Sequence, residues 1–368
     1  MATIILKPTE ACNSRCIYCQ VVKKQTPGPK QMTFETLELF FRRVNEFLLE
    51  RPQEDLEIIW HGGEPLLLGP GYFERARRYQ EKHCAQTATR IRHSIRSNLT
   101  LLSRDFLEPL QKLGITSLVT SYDPVANIRG LGKKRDWLTY NQRFMEAICL
   151  LEEAGFDWRV IYVVTKLSLA KPLEIFNFLT NLSPKKRLSF NPILFYGPGM
   201  DHIKISPAEY VEFLGTIAPV WWRRRDDFGP IEPLSALAHN LLNDRKLLMC
   251  MDSGACAHEY FGVLPDGRVS QCGRAADWGL LAYGSISEKS FSQVLADPQR
   301  EILRRRNHVL PETECKGCRF WDICHGGCPL EGWFAGGSFL HKSGWCHAKQ
   351  GLIEQYVEPL VNASRSGL

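Results

Sequence analysis

An α/β fold built on an open, mostly parallel sheet is predicted for the first 226 residues, followed by a smaller domain organised around cysteines. Three observations predict it. Short β-rich runs alternate with amphipathic helical stretches, the pattern of strand–helix units. Six such units end near Arg225, whereas a closed eight-unit barrel typically takes about 250 residues, so a partial (β/α)6 barrel fits better. After "RRRDDFGPIEP" the alternation stops, and from Cys250 the chain turns rich in Cys and Gly. The expected divisions are therefore 1–226 for the partial barrel, 227–249 for a linker or helical connection, 250–350 for the cysteine domain, and 351–368 for a C-terminal helix and tail.

The expected strands are Thr3 to Leu6, Leu56 to Trp60, Ile91 to Ser97, Ser117 to Ser121, Trp158 to Thr165 and Leu188 to Leu194. Helical periodicity lies between them in "TFETLELFFRRVNEFLLE", "YNQRFMEAICLLEEAG" and "PLEIFNFLTNL", with Thr33 placed to cap one helix and Gly155 to end another. In the second domain "LPDGRVSQC" reads as a hairpin turning at Asp266-Gly267.

A chain of 368 residues can bury roughly 75% of its unfolded surface. Its 44% hydrophobic and 23% charged content is that of a globular protein, and no run approaches the ~20 apolar residues of a membrane span. The start, "MATIILKPTEAC", lacks the parts of a secretory signal, so the expectation is a cytoplasmic protein without a membrane partner. A net charge of +6 is too mild to signal nucleic acid, and the runs Arg223–Arg225 and Arg304–Arg306 read as solvated helix faces. The 13 cysteines are odd in number and clustered, which points to metal or redox chemistry in a reducing compartment.

Cys12, Cys16 and Cys19 put three thiols into eight positions with no fourth nearby, whereas a structural zinc site closes with four ligands. A four-iron cluster held by three thiolates keeps one iron open to another ligand. The segments "WHGGEP", "RSN", "TSYDP" and "FNPI" stand at the ends of four of the expected strands, where barrel-like α/β domains gather their chemistry.

The spacing CxxxCxxC, with Tyr18 before the last cysteine, resembles the signature of the radical S-adenosylmethionine (radical SAM) superfamily. That resemblance implies SAM on the open iron, cleaved by one electron to a 5′-deoxyadenosyl radical. It also implies that Gly62, Gly63, Glu64 and Pro65 form the GGEP motif, in which the backbone and the carboxylate hold the methionyl ammonium and the glycines admit a close backbone approach. By the same resemblance Asn98 and Ser121 are polar SAM contacts, Ile193 is an apolar contact to adenine, and either Arg129 or Arg135 pairs with the SAM carboxylate.

Eight further thiols follow, enough for two complete four-iron clusters: Cys250, Cys256, Cys272, Cys315, Cys318, Cys324, Cys328 and Cys346. Two zinc-ribbon sites are the alternative. The run C-x2-C-x5-C-x3-C-x17-C from Cys315, preceded by Gly267-x4-Cys272, resembles the SPASM auxiliary-cluster domain. The resemblance implies an interleaved set: Cys250, Cys256, Cys272 and Cys328 on an inner cluster, and Cys315, Cys318, Cys324 and Cys346 on an outer one. Three [4Fe-4S] clusters and SAM are thus the expected cofactors. Cys84 and Cys149 read as structural, Cys149 as a small buried hydrophobe, and His325 and His347 as neighbours of the ligands rather than ligands.

Nearly the whole chain resembles the anaerobic sulfatase-maturase-like branch, whose members modify peptides or proteins. The implied partners are a peptide or protein substrate and an electron donor of the flavodoxin or ferredoxin type. With the first cysteine at position 12, no room is expected for an N-terminal peptide-recognition domain, and leader binding falls to the body of the chain or to a separate protein. Modification of a small molecule, such as a sugar or amino-acid derivative, is the competing reading; an iron–sulfur electron carrier would leave the SAM motifs without a purpose. One departure bears on the reaction. Sulfatase maturases carry an Asp directly after the third cysteine of the inner site, as general base, whereas this chain has Cys272-Gly273-Arg274 and its next acid is Asp277. A second is Arg96, where that branch commonly has Gln. Formylglycine formation is therefore not expected, and the catalytic base is left without an assignment beyond Asp277.

Overall fold

The structure is a computed structural model that describes residues 1–19, 21, 31–182, 185–194 and 200–365; the end of the expected C-terminal tail lies outside the described residues. Its strands are β1 (Ala2–Thr9), β2 (Leu56–Gly62), β3 (Ile91–Arg96), β4 (Ile115–Ser121), β5 (Asp157–Val164), β6 (Leu188–Pro192), β7 (Ile231–Glu232), β8 (Tyr260–Val263), β9 (Arg268–Ser270) and β10 (Ala282–Ser285). The six expected strands are β1 to β6.

The chain divides into two compact units, the first comprising Met1–Thr120, Ala126–Trp158 and Ala257–Glu301. Its strands run in the order β10-β9-β8-β1-β2-β3-β4. β1, β2, β3 and β4 are parallel neighbours, and β8 joins the other side of β1 in parallel, Thr3 opposite Tyr260 and Leu6 opposite Val263. Helix Phe34–Glu50 starts where Thr33 accepts a hydrogen bond from the Thr36 N–H, and it buries Leu37, Phe40, Phe41, Val44, Phe47 and Leu48 along one stripe. Each such side chain contributes about 1.5–3 kcal/mol on burial. Phe40 meets Phe291, which packs on Phe261 of β8. The Asp266-Gly267 hairpin forms as expected: β8 and β9 are antiparallel, and Gly267 turns at φ +81°.

The second unit comprises Ser121–Val125, Arg159–Cys256 and Ile302–Leu368. In it β5, β6 and β7 are parallel neighbours in that order. Helix Pro207–Arg223 begins in a Ser206/Glu209 capping box and buries Tyr210, Phe213, Leu214, Ile217 and Trp221. Among the described residues the strands of neither unit close into a ring, and no helix is long and apolar enough to cross a membrane.

These units cut the chain differently from the expected boundaries. Residues 257–301 belong with β1 because β8 hydrogen-bonds to it. The stretch 227–249, read as a linker or helical connection, carries helix Leu234–Leu242 and also the two-residue strand β7. Two readings of single residues or runs are corrected. Cys149 is exposed, not buried: helix Trp137–Glu153 turns Tyr140, Phe144, Ala147, Ile148 and Leu151 inward, and position 149 falls off that stripe. The run Arg304–Arg306 is not one solvated face, because Arg306 shares a buried stripe with Leu303 and Leu310.

Candidate metal centre

In the first unit, β1 ends at Thr9 and the chain turns directly into Cys12–Cys19. Backbone bonds strap this loop on two sides. Gly63 N–H donates to the Thr9 carbonyl at 2.9 Å and Glu64 N–H to Ala11 at 2.8 Å. Opposite, Arg15 N–H donates to Gly130, Ile17 N–H to Ile128, and Gly132 N–H to Asn13, at 2.8–3.0 Å. The glycines of "HGGEP" are needed for this approach: a Cβ on Gly62 would lie 2.0 Å from the Thr9 carbonyl oxygen, and one on Gly63 2.1 Å from that of Ala11. The close approach they allow is thus to the chain's own cysteine loop.

Glu64, 1% exposed, organises the neighbouring strand end. Its carboxylate accepts from Leu66 N–H at 3.0 Å, Ser97 Oγ at 2.8 Å and Asn98 N–H at 2.7 Å. Burial pushes it up to about 7, against the pull of these three donors. Asn98 passes the order on: its Nδ2 donates to Asn13 Oδ1 at 2.8 Å, faces Ser14 Oγ at 3.3 Å and points at Cys12 Sγ at 3.8 Å. Pro65 is buried and opens a short 3₁₀ turn.

The two arginines offered for the SAM carboxylate part company. Arg129 is 8% exposed; it donates to Tyr18 Oη, faces Tyr140 Oη and points Nη1 at Cys16 Sγ, 3.8 Å away. Arg135, in left-handed backbone at φ +53°, ties its Nε to the Arg15 carbonyl at 2.7 Å. Arg129 is therefore the cation beside the thiols, and Arg135 braces the loop from outside.

Burial pushes the Cys12 thiol up to about 12, and Glu64, Cys19 and Cys16 add to that push. A thiol so disfavoured as an anion needs a cation beside it to ionise, and with Cys16 and Cys19 in the same loop the donor set fits an iron–sulfur cluster.

Asp277 is not free. Its carboxylate lies 2.5 Å from Nζ of Lys7, a β1 side chain only 2% exposed, and the same ammonium donates to the Gly273 carbonyl at 3.0 Å. Lys7 Cε stands 3.2 Å from where a Gly273 Cβ would be. Nearby, burial holds the His61 imidazole down to about 3, with Lys7 and Arg96 adding to the effect. Cys272, also of this unit, accepts from Ala275 N–H at 3.4 Å.

In the second unit, Cys315, Cys318, Cys324 and Cys346 line one cavity together with Glu314, Phe320, Trp321, Lys342, Lys349 and Gln350. These are the four thiols expected on the outer cluster. Burial pushes Cys315 up to about 11, with Cys324, Cys346 and Cys318 adding. A second cavity is lined by Cys324, Cys328 and Cys346 beside Gly326 and Gly327. Cys250 and Cys256 belong to this unit as well. Lys349 pairs with Asp252, and the His325 ring meets the Asp252 carbonyl at 2.7 Å; His347 is exposed. Ser121, half-buried at the end of β4, and Ile193, 5% exposed after β6, fall in the second unit too. Among the described residues no three Cys, His, Asp or Glu side chains converge as a single ion would require.

Sequence reasoning missed Lys7 and Arg306. The signal for Lys7 was a lone cation in the apolar strand "IILKPT"; for Arg306 it was the spacing 303, 306, 310.

The chain is similar to known families and solved structures. The Radical SAM superfamily profile matches residues 6–179, and an iron-sulfur cluster-binding domain, SPASM, matches 255–319. The chain is 25% identical over 344 residues to the serine-type anaerobic sulfatase-maturating enzyme of Klebsiella aerogenes, covering 89% of this chain and 79% of that one. It is 23% identical over 382 residues to the cysteine-type enzyme of Clostridium perfringens strain 13, covering 99% and 98%. Native anSMEcpe with bound AdoMet and the Cp18Cys peptide superposes with a TM-score of 0.82 at 22% identity, covering 100% of this chain and 99% of that one. This chain therefore carries a radical SAM domain followed by a SPASM domain and is homologous to the anaerobic sulfatase-maturating enzymes.

Proposed function

We propose that this radical SAM enzyme modifies a peptide or protein, and that the modification is not formylglycine formation. Three [4Fe-4S] clusters serve it, on the ligand sets named above. Cys12, Cys16 and Cys19 would hold the first, which would supply the one electron that cleaves SAM to the radical that abstracts a hydrogen atom from the substrate. Arg129 lies beside those thiols, and Glu64 and Asn98 fix the adjoining backbone. Peptide as the substrate class rests on the sulfatase-maturating relatives and on the peptide bound to anSMEcpe. A flavodoxin- or ferredoxin-type donor supplies the electrons, and any leader sequence is bound by the body of the chain or by a separate protein.

One observation carries the negative half. Where the maturase-like pattern has an Asp, Gly273 has no side chain, and Lys7 stands against the space it leaves while pairing with Asp277. The Asp277 carboxylate is thus already engaged by the buried Lys7 ammonium rather than open to a substrate proton. Cross-linking of a peptide is our preferred outcome. The test is anaerobic incubation with SAM, reductant and a sulfatase-type CxPxR peptide, read by mass spectrometry. We expect 5′-deoxyadenosine and an unchanged peptide; stoichiometric conversion of its Cys to the aldehyde would overturn the proposal.

A further inference from the structure

Arg306, on helix Glu301–Glu312, is 2% exposed and holds two stretches of chain at once. Its Nη2 donates to the carbonyls of Gly326 at 2.7 Å and Gly327 at 3.2 Å, and its Nη1 to those of Phe339 at 2.7 Å and His341. Gly326 and Gly327 are two of the three residues between Cys324 and Cys328. That loop carries one thiol assigned to each auxiliary cluster.

The guanidinium is over-supplied with dipoles and under-supplied with charge. Four of its five N–H groups meet carbonyls, while Nε–H is buried with no acceptor. Carbonyls do not cancel a formal charge, and a buried cation without a counter-ion costs several kcal/mol. Among the described residues no carboxylate forms an ion pair with it. The groups whose negative charge acts on it most are Cys328, Cys315 and Cys256, ahead of Glu314. As neutral thiols these supply nothing, whereas as ligands of an iron–sulfur cluster they supply net negative charge and sulfur acceptors.

We propose that Arg306 is the shared counter-charge of the two auxiliary iron–sulfur sites, a positioning residue that grips the Cys324–Cys328 loop and raises the reduction potential of both clusters. The inference rests on the ligand assignment under Proposed function. Reduction adds negative charge, so a nearby buried cation with a spare N–H favours the reduced form.

The test uses the full chain with Cys12, Cys16 and Cys19 changed to Ala, so that only auxiliary clusters report. Iron content and potentials from an EPR-monitored redox titration are compared for this parent, Arg306→Lys and Arg306→Met. The parent should hold about eight irons; a parent without them overturns the ligand assignment, and the proposal with it. Arg306→Lys should keep the iron and a potential near the parent's. Arg306→Met should be at least tenfold harder to reduce, about 59 mV for one electron, or should lose iron that Arg306→Lys keeps. Full iron with unchanged potentials in Arg306→Met, or equal loss of iron in both variants, would overturn the proposal.

Discussion

The two places where cysteines gather are held by different means. Around Cys12–Cys19 the loop is fixed by backbone hydrogen bonds to Thr9–Ala11 on one side and Ile128–Gly132 on the other, at the edge of a unit whose core is Leu, Ile, Val and Phe. Around Cys315–Cys346 the helices are short, Trp321–Cys324 and Pro329–Gly336. Few apolar side chains are buried there, among them Phe320, Ile323 and Leu330, and a single arginine ties the loops. On the ligand sets proposed above, the difference teaches that metal would be a guest at the first site and part of the fold at the second.

Removing iron tests this contrast at its strongest. Chelation should expose the amides of 313–346 to hydrogen exchange while β1, β2 and β3 keep their protection. Equal loss in both regions would break the comparison.

Much of the first region was legible in sequence because its signals are local. The stripe 37, 40, 41, 44, 47, 48 and the Thr33 cap announce a helix, and the thiol spacing announces the metal. The rest depends on contacts that no local pattern carries. Lys7 meets Asp277 270 residues away. β7, at two residues, is too short for alternation to show. Arg306 carries the residue type of a surface and the register of a core, and type misled where Leu303 and Leu310 gave the better guide.

Smaller effects sharpen the account of the first site. Gly63→Ala should press a methyl group onto the Ala11 carbonyl and cost about 1–3 kcal/mol through backbone movement, with SAM affinity falling in a calorimetric titration. Retained affinity would show that the loop is looser than described. Glu64→Ala strands the Ser97 hydroxyl and two backbone N–H groups, which costs about 1–3 kcal/mol and should weaken SAM binding, whereas Glu64→Gln keeps an acceptor oxygen and should lose less. If the two variants bind SAM alike, the carboxylate does not act through these bonds. Cys149→Ser, on an exposed helix face, should stay within about 0.5 kcal/mol of wild type in thermal unfolding; a larger loss would return Cys149 to the core.

The most direct test of the central claim is to quantify 5′-deoxyadenosine and iron together in anaerobically reconstituted, dithionite-reduced protein given SAM. The account predicts about 12 irons and slow formation of 5′-deoxyadenosine and methionine in wild type. With Cys12, Cys16 and Cys19 changed to Ala it predicts about eight irons and no 5′-deoxyadenosine. Fully loaded wild type that leaves SAM intact, or a triple variant that cleaves it as well, would contradict it.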